Sequence, residues 1–155
     1  YPPEDLAIIA RHSAARLGCD LTPEAADFLG ANAAGEPRRV NIRLLRVVRN
    51  MQNATGAGVA GLEVAQKALQ LAGLRPLGLT KPQFDALEFI EQMPHRTAGL
   101  SSVGAALQMG PKDVMSEVEG YLIYKRLLLI TPRGRTLSLA GLAYLEKARK
   151  EMATW

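Results

Sequence analysis

Apolar and small residues recur at helical spacing through most of the chain. Leu6, Ile9, Ala10, Ser13 and Leu17 mark a first helix, opened by Pro3 in its first turn and stopped by Gly18. Thr22-Pro23 begins a second helix, with Thr22 as N-cap, that runs to about Asn32. Val40, Leu44, Val47 and Met51 fall at i, i+4, i+7 and i+11, the apolar face of a third helix from about Pro37 to Asn53. A glycine-rich loop over 53–61 leads to a fourth helix, about Leu62 to Ala72. No strand pattern precedes residue 75, so this half predicts a small helical bundle.

The stretch from Gly73 to Gly78 carries Gly and Pro and reads as a boundary. It separates a segment 1–75 from a segment 77–155. After it, Thr80 and Gln83 have capping-box spacing, and Phe84, Leu87 and Ile90 continue a helix to about Gln92. The loop from Met93 to Gly99 leads to Ser101 or Ser102 as the N-cap of a short helix, Val103 to Gln108. Met109-Gly110-Pro111 makes a tight turn. A helix of about Pro111 to Lys125 follows, with Val114, Val118, Tyr121 and Leu122 on one face. The period then changes. Leu127 to Thr131 is a short apolar run, Pro132 to Arg135 has turn chemistry, and Thr136 to Ser138 can pair back. A last helix spans about Leu139 to Met152. Helix, helix, turn, helix and basic hairpin is the order of a winged helix-turn-helix, in which the third helix, 112–125, would be the recognition helix and the Pro132–Arg135 turn the wing tip. The expected fold is mainly α: a helical bundle, then a winged helix with one short β-hairpin.

Composition narrows the class. The 155 residues are 48% hydrophobic and 22% charged with a formal charge of +4, which suits a folded chain rather than a disordered one. No apolar run approaches the ~20 residues that span a bilayer, so no membrane partner is expected. One cysteine, Cys19, can make neither an internal disulfide nor a multi-thiolate metal site, which fits a reducing, cytoplasmic setting. The chain opens on Tyr1 without an initiator Met, as a piece of a longer protein or a processed one would.

No complete catalytic set is visible. The phosphate-loop, HExxH and GxSxG patterns are absent, and His12 and His95 stand alone in different segments. The carboxylates are scattered. Two basic groupings remain. Arg38, Arg39, Arg43, Arg46 and Arg49 crowd the third helix. Charge alone favours a solvated face there. Anion binding has a physical basis too, because Arg38 and Arg39 occupy a first helical turn, where free N–H groups already favour phosphate. Arg133 and Arg135 flank Gly134 at the hairpin tip, with Lys125 and Arg126 upstream and Lys112 at the start of the preceding helix. Together they could neutralise DNA phosphates without reading sequence.

These residues also carry a family likeness. Gly35-Glu36-Pro37-Arg38-Arg39-Val40-Asn41, then Arg43-Leu44-Leu45-Arg46-Val47-Val48-Arg49, resembles the G-x-P-R-x-x-N-R-L-L-R-x-V-R stretch of RuvB-type Holliday-junction branch-migration ATPases, with Ile42 as one extra residue. Tyr121-Leu122-Ile123 and Thr131-Pro132-Arg133-Gly134-Arg135 resemble that family's Y-L-I and T-P-R-G-R, and Leu77-Gly78-Leu79 a similar L-G-L between its domains. The resemblance implies an AAA+ lid over 1–75 and a DNA-binding winged helix over 77–155, with the ATPase core ahead of Tyr1. It implies ATP and Mg2+ as cofactors of the intact parent, a homo-hexamer, duplex or four-way-junction DNA as partner, and a junction-binding loader protein. It matches Arg38 to a sensor arginine that reaches the ATP phosphates, with Arg39 as the alternative. It matches Tyr1 to a nucleotide-contacting tyrosine and Arg135 to a DNA-contacting arginine. The chain alone would be inactive as an ATPase. A winged-helix transcription regulator and a protein-interaction adaptor are the competing readings.

Overall fold

The computed structural model describes residues 1–56 and 58–155. It divides into two compact units, Tyr1–Leu79 with Trp155, and Thr80–Thr154.

The first unit is a bundle of α1 (Pro3–Arg16), α2 (Pro23–Ala31), α3 (Leu45–Thr55) and α4 (Leu62–Leu71). Thr22 caps α2, its hydroxyl accepting from the Ala25 amide at 3.2 Å. Leu6, Ala10, Leu29, Val40, Leu44, Leu45, Val48 and Leu69 are fully buried in one core, and Phe28 meets Trp155 edge-on at 5.8 Å within the same unit. Gly30 lets α1 cross α2 closely, since a Cβ there would come 2.5 Å from the Pro3 carbonyl oxygen.

The third helix departs from the expected one. A π-helical turn, Arg39–Leu44, precedes α3. It widens the coil by about one residue, as single-turn π-bulges do, and Ile42, the extra residue of the family-like motif, lies inside it. The apolar face is therefore rotated. Leu45, Val48 and Gln52 are buried beyond the turn, whereas the expected Val47 and Met51 are only half-buried. A second difference is a parallel pair, β1 (Asp20–Leu21) with β2 (Val59–Ala60). Two residues a side are too few for an alternating pattern, so sequence periodicity did not expect a strand before residue 75. The glycine-rich loop expected over 53–61 runs through Ala57, which lies outside the described residues. The first compact unit runs to Leu79. Gly78 explains this: at φ +78° a Cβ on it would sit 2.5 Å from the Asn32 carbonyl oxygen, and the Asn32 side chain accepts from the Leu77 amide at 2.8 Å.

The second unit begins with the expected capping box. The Thr80 hydroxyl accepts from the Gln83 amide and the Gln83 side chain accepts from the Thr80 amide. α5 (Lys81–Glu91) follows, then β3 (Thr97–Ala98), α6 (Leu100–Leu107) and α7 (Pro111–Asp113). A second π-helical turn, Val114–Glu119, joins α7 to α8 (Gly120–Tyr124). β4 (Leu128–Thr131), β5 (Gly134–Leu137) and α9 (Leu139–Met152) complete the unit. The sheet is three-stranded and antiparallel, in the order β3-β5-β4. β3 was expected as loop. It pairs Thr97 with Thr136 and Ala98 with Arg135, and this pairing feeds the chain directly into α6. α6 therefore starts at Leu100 with Gly99 as N-cap, ahead of the expected Ser101 or Ser102. Gly134 permits the close strand approach, since a Cβ on it would lie 2.5 Å from the Ala98 carbonyl oxygen.

Candidate nucleotide and nucleic-acid contacts

In the first unit, the chain start meets the turn that opens the arginine-rich helix. The Tyr1 carbonyl oxygen lies 3.7 Å from where a Cβ on Gly35 would be, and Gly35 has φ +73°. Tyr1 and the Gly35-Glu36-Pro37-Arg38 segment, far apart in sequence, are thus neighbours. Both Tyr1 and Arg38 are exposed. Arg38 precedes the π turn, so it keeps its place in the G-x-P-R order whatever Ile42 does to the residues after it.

The neighbouring arginines differ in what they touch. The Arg39 side chain is largely buried, donates from Nη1 to the Gly78 carbonyl oxygen, and lies 3.8 Å from the Glu36 carboxylate. Arg43 donates from Nη2 to the Ala72 carbonyl oxygen at 2.9 Å, just past α4. Both guanidiniums satisfy backbone carbonyls of their own unit. Among the described residues, no hydrogen bond or ion pair holds Arg38.

The wing repeats this division. Arg135 donates from Nε and Nη2 to the two Glu119 carboxylate oxygens, at 2.8 and 3.1 Å. The side chains are only 16% and 7% exposed. This two-pronged bond ties β5 to the π turn of the recognition helix. Hydrogen bonding to Glu119, against the opposing effect of burial, holds the Arg135 proton more tightly than usual. Arg133, two residues earlier at the tip, is exposed and tied to no carboxylate among the described residues. Lys112, Lys125 and Arg126 are likewise exposed.

The five basic residues singled out for DNA thus occupy two kinds of setting, and Arg135 alone has its charge met inside the chain. Glu119 escaped the sequence reading because its partner is 16 residues away, across a hairpin. Only its placement as an acid on an otherwise apolar helix face, between Val118 and Leu122, hinted at a buried partner. Lys125 and Arg126 close the recognition helix, and the Lys125 ammonium lies 5.9 Å from the Tyr121 ring centre and 5.8 Å from that of Tyr124. Among the described residues no group of three or more His, Cys, Asp or Glu side chains converges on a metal-sized site, and no helix is long and apolar enough to cross a membrane.

A helical bundle with an exposed G-x-P-R arginine, followed by a winged helix with a basic tip, defines the class: an AAA-type lid joined to a winged helix. Residues 1–74 match the model of the RuvB AAA lid domain, and residues 76–146 that of the RuvB C-terminal winged helix domain. The chain belongs to the RuvB family, of which it carries these two regions. It is 38% identical over 152 residues to the Holliday junction branch migration complex subunit RuvB of Rhodospirillum centenum. That match covers 94% of this chain and 40% of the relative. The Thermotoga maritima RuvB Holliday junction branch migration motor superposes with a TM-score of 0.79 at 27% identity, over 94% of this chain and 49% of that one. An arginine-to-alanine variant of the same protein gives 0.80 at 26%, with the same coverage. The chain therefore spans less than half the length of the relatives it matches.

Proposed function

We propose that this chain is the lid and DNA-gripping part of an ATP-driven motor for Holliday-junction branch migration in recombination and repair. One observation carries the reading: in each unit one arginine is tied to its own chain, while a close neighbour keeps an exposed, permanent charge. Arg38 beside Tyr1 is the proposed nucleotide contact, with Arg39 as the tie that fixes the start of the helix. Arg38 donates to an ATP phosphate held between this lid and the AAA+ core of the same protein, and Tyr1 contacts the nucleotide. ATP supplies the phosphoanhydride whose cleavage changes the lid's contacts. The residues that would hold magnesium are proposed to lie in that core.

Arg133, Lys125, Arg126 and Lys112 make phosphate contacts to duplex or four-way-junction DNA. Such contacts position a duplex without reading bases, which is what a translocating motor requires. Arg135 holds the wing against the recognition helix through Glu119, and its remaining guanidinium edge can join the same phosphate path. The intact assembly is proposed to be a hexamer acting with a junction-binding loader protein in the cytoplasm.

The test is binding of the 155-residue chain to duplex and four-way-junction DNA over a range of salt. Affinity should fall steeply with salt for any sequence, and Arg133→Ala should flatten the slope by about one phosphate contact. Binding that ignores salt, or that depends on sequence, would sink the motor reading.

A further inference from the structure

We propose that Glu119 is a positioning residue for DNA: it turns the Arg135 guanidinium so that its open edge meets a backbone phosphate, and duplex binds more tightly with this carboxylate than without it. The inference rests on the DNA-gripping reading above and adds to it a residue whose own charge has the wrong sign for a phosphate contact.

Glu119 is a buried acid on a helix whose Val114, Val118 and Leu122 are buried and apolar. Its two oxygens accept from Nε and Nη2 of Arg135, which form the side edge of the guanidinium. The end edge, Nη1 with the second Nη2 proton, is left over. Nη1 makes no hydrogen bond among the described residues, yet it is not one of their enclosed, unbonded nitrogens, so it reaches the surface. The Arg135 backbone is fixed as well. β5 is the central strand, with Arg135 opposite Ala98 of β3 on one side and Ile130 of β4 on the other. Arg135 is therefore held at both its backbone and its head group. Lys112, Lys125, Arg126 and Arg133, the other basic residues of the grip, are exposed and tied to no carboxylate among the described residues.

Charge and positioning predict opposite signs. Removing a carboxylate close to DNA normally strengthens binding, because the attraction of the nearby cations is no longer offset. Positioning works the other way. A long, free arginine loses rotamer freedom when it docks on a phosphate, whereas an arginine already held by a carboxylate lost that freedom on folding. The Glu119 charge is met by Arg135 at 2.8 Å, so the pair offers a phosphate the remaining N–H groups of the guanidinium rather than a bare negative charge. Glu117 supplies the contrast. It is an exposed acid in the same π-helical turn and has no ion pair among the described residues.

The test is duplex-DNA affinity of the 155-residue chain and of two charge-matched variants, Glu119→Gln and Glu117→Gln, at a temperature where circular dichroism shows the chains folded. Glu119→Gln should bind roughly two- to tenfold more weakly, the effect of having to order one long side chain on docking. Glu117→Gln should bind more tightly than the parent. Both variants remove one negative charge from the same turn, and a Glu119 that served the fold alone would let both bind more tightly. Tighter binding by Glu119→Gln, or affinity equal to the parent's, would overturn the positioning role and leave the phosphate grip standing. A second measurement needs no variant: heteronuclear NMR of the arginine side chains in the unsubstituted chain. The Arg135 Nε–H signal should keep its position when duplex is added, because Glu119 still holds it, while the Nη signals shift. An Nε–H signal that moves to the position of a free arginine would mean that phosphate displaces Glu119, and would overturn the proposal even where Glu119→Gln fails to fold. An unsubstituted chain that binds no duplex would overturn the grip and the positioning role together.

Discussion

The arginines at the start of the lid's third helix and those at the wing tip make the same division of labour by different means. Arg39 and Arg135 are both largely buried, and each is satisfied by its own unit. Arg39 bonds a backbone carbonyl across the fold, at Gly78, where the charge itself is only partly met. Arg135 bonds a buried carboxylate, where charge and geometry are both met. Their neighbours Arg38 and Arg133 stay in water. An arginine-rich stretch is therefore not one functional patch. Each tie fixes the backbone from which the free partner projects, and adjacent guanidiniums should respond to substitution in opposite ways.

The largest effect should come from the wing tie. Removing one partner of a buried, doubly hydrogen-bonded ion pair leaves the other charge stranded, at a cost of about 3–5 kcal/mol. Arg135→Ala should therefore lower the thermal stability of the second unit sharply, and Glu119→Ala should do much the same. Arg39→Ala should cost less, about 1–3 kcal/mol of first-unit stability, because it removes a charged donor from one carbonyl and a longer contact to Glu36. Arg38→Ala and Arg133→Ala should each stay within about 0.5 kcal/mol of the parent in denaturant unfolding, as surface changes do. If Arg38→Ala destabilised as much as Arg39→Ala, the lid half of the comparison would fail.

Deletion of Ile42 sharpens the same contrast. Removing a residue from a helix interior normally rotates everything beyond it. Here the buried Val40, Leu44, Val48 and Gln52 would acquire i, i+3, i+7 and i+11 spacing, so an ordinary α-helix could bury the same face. We expect circular dichroism and melting close to those of the parent, whereas deletion of Val47 should unfold the unit.

A small pH dependence is expected far from either arginine pair. Hydrogen bonds from Arg149, which also engages Glu88, hold the Glu91 carboxyl below its ordinary value, against a smaller opposing effect of burial. A carboxyl depressed in the fold stabilises above its unfolded pKa, near 4.5, and loses that contribution as pH falls through the lower folded value. The loss should be under about 1 kcal/mol, because the groups are partly exposed. It should vanish in Glu91→Gln.

The features legible in the sequence were local ones. Thr22 and the Thr80–Gln83 box announced their helices because a cap bonds its own first turn. The hairpin followed from Pro132 and Gly134 between apolar runs. The unread features depend on contacts distant in sequence. Arg135 and Glu119 meet across a turn, and no spacing rule links them. β1 and β2 are two residues each, and β3 is a strand only because β5 lies beside it. Ile42 was visible as an extra residue against the family-like motif, but that a π turn absorbs it, and so buries Val48 in place of Val47, needed the packed core. For the site, the motif located both arginine pairs, and only the three-dimensional contacts told the tied member from the free one.

The most direct test of that distinction is one parallel measurement on Arg133→Ala and Arg135→Ala: melting temperature, and duplex-DNA affinity at two salt concentrations. The account predicts that Arg133→Ala melts like the parent but binds DNA more weakly with a shallower salt slope, while Arg135→Ala melts well below the parent. An Arg135→Ala chain as stable as the parent, or an Arg133→Ala chain that binds DNA unchanged, would contradict it.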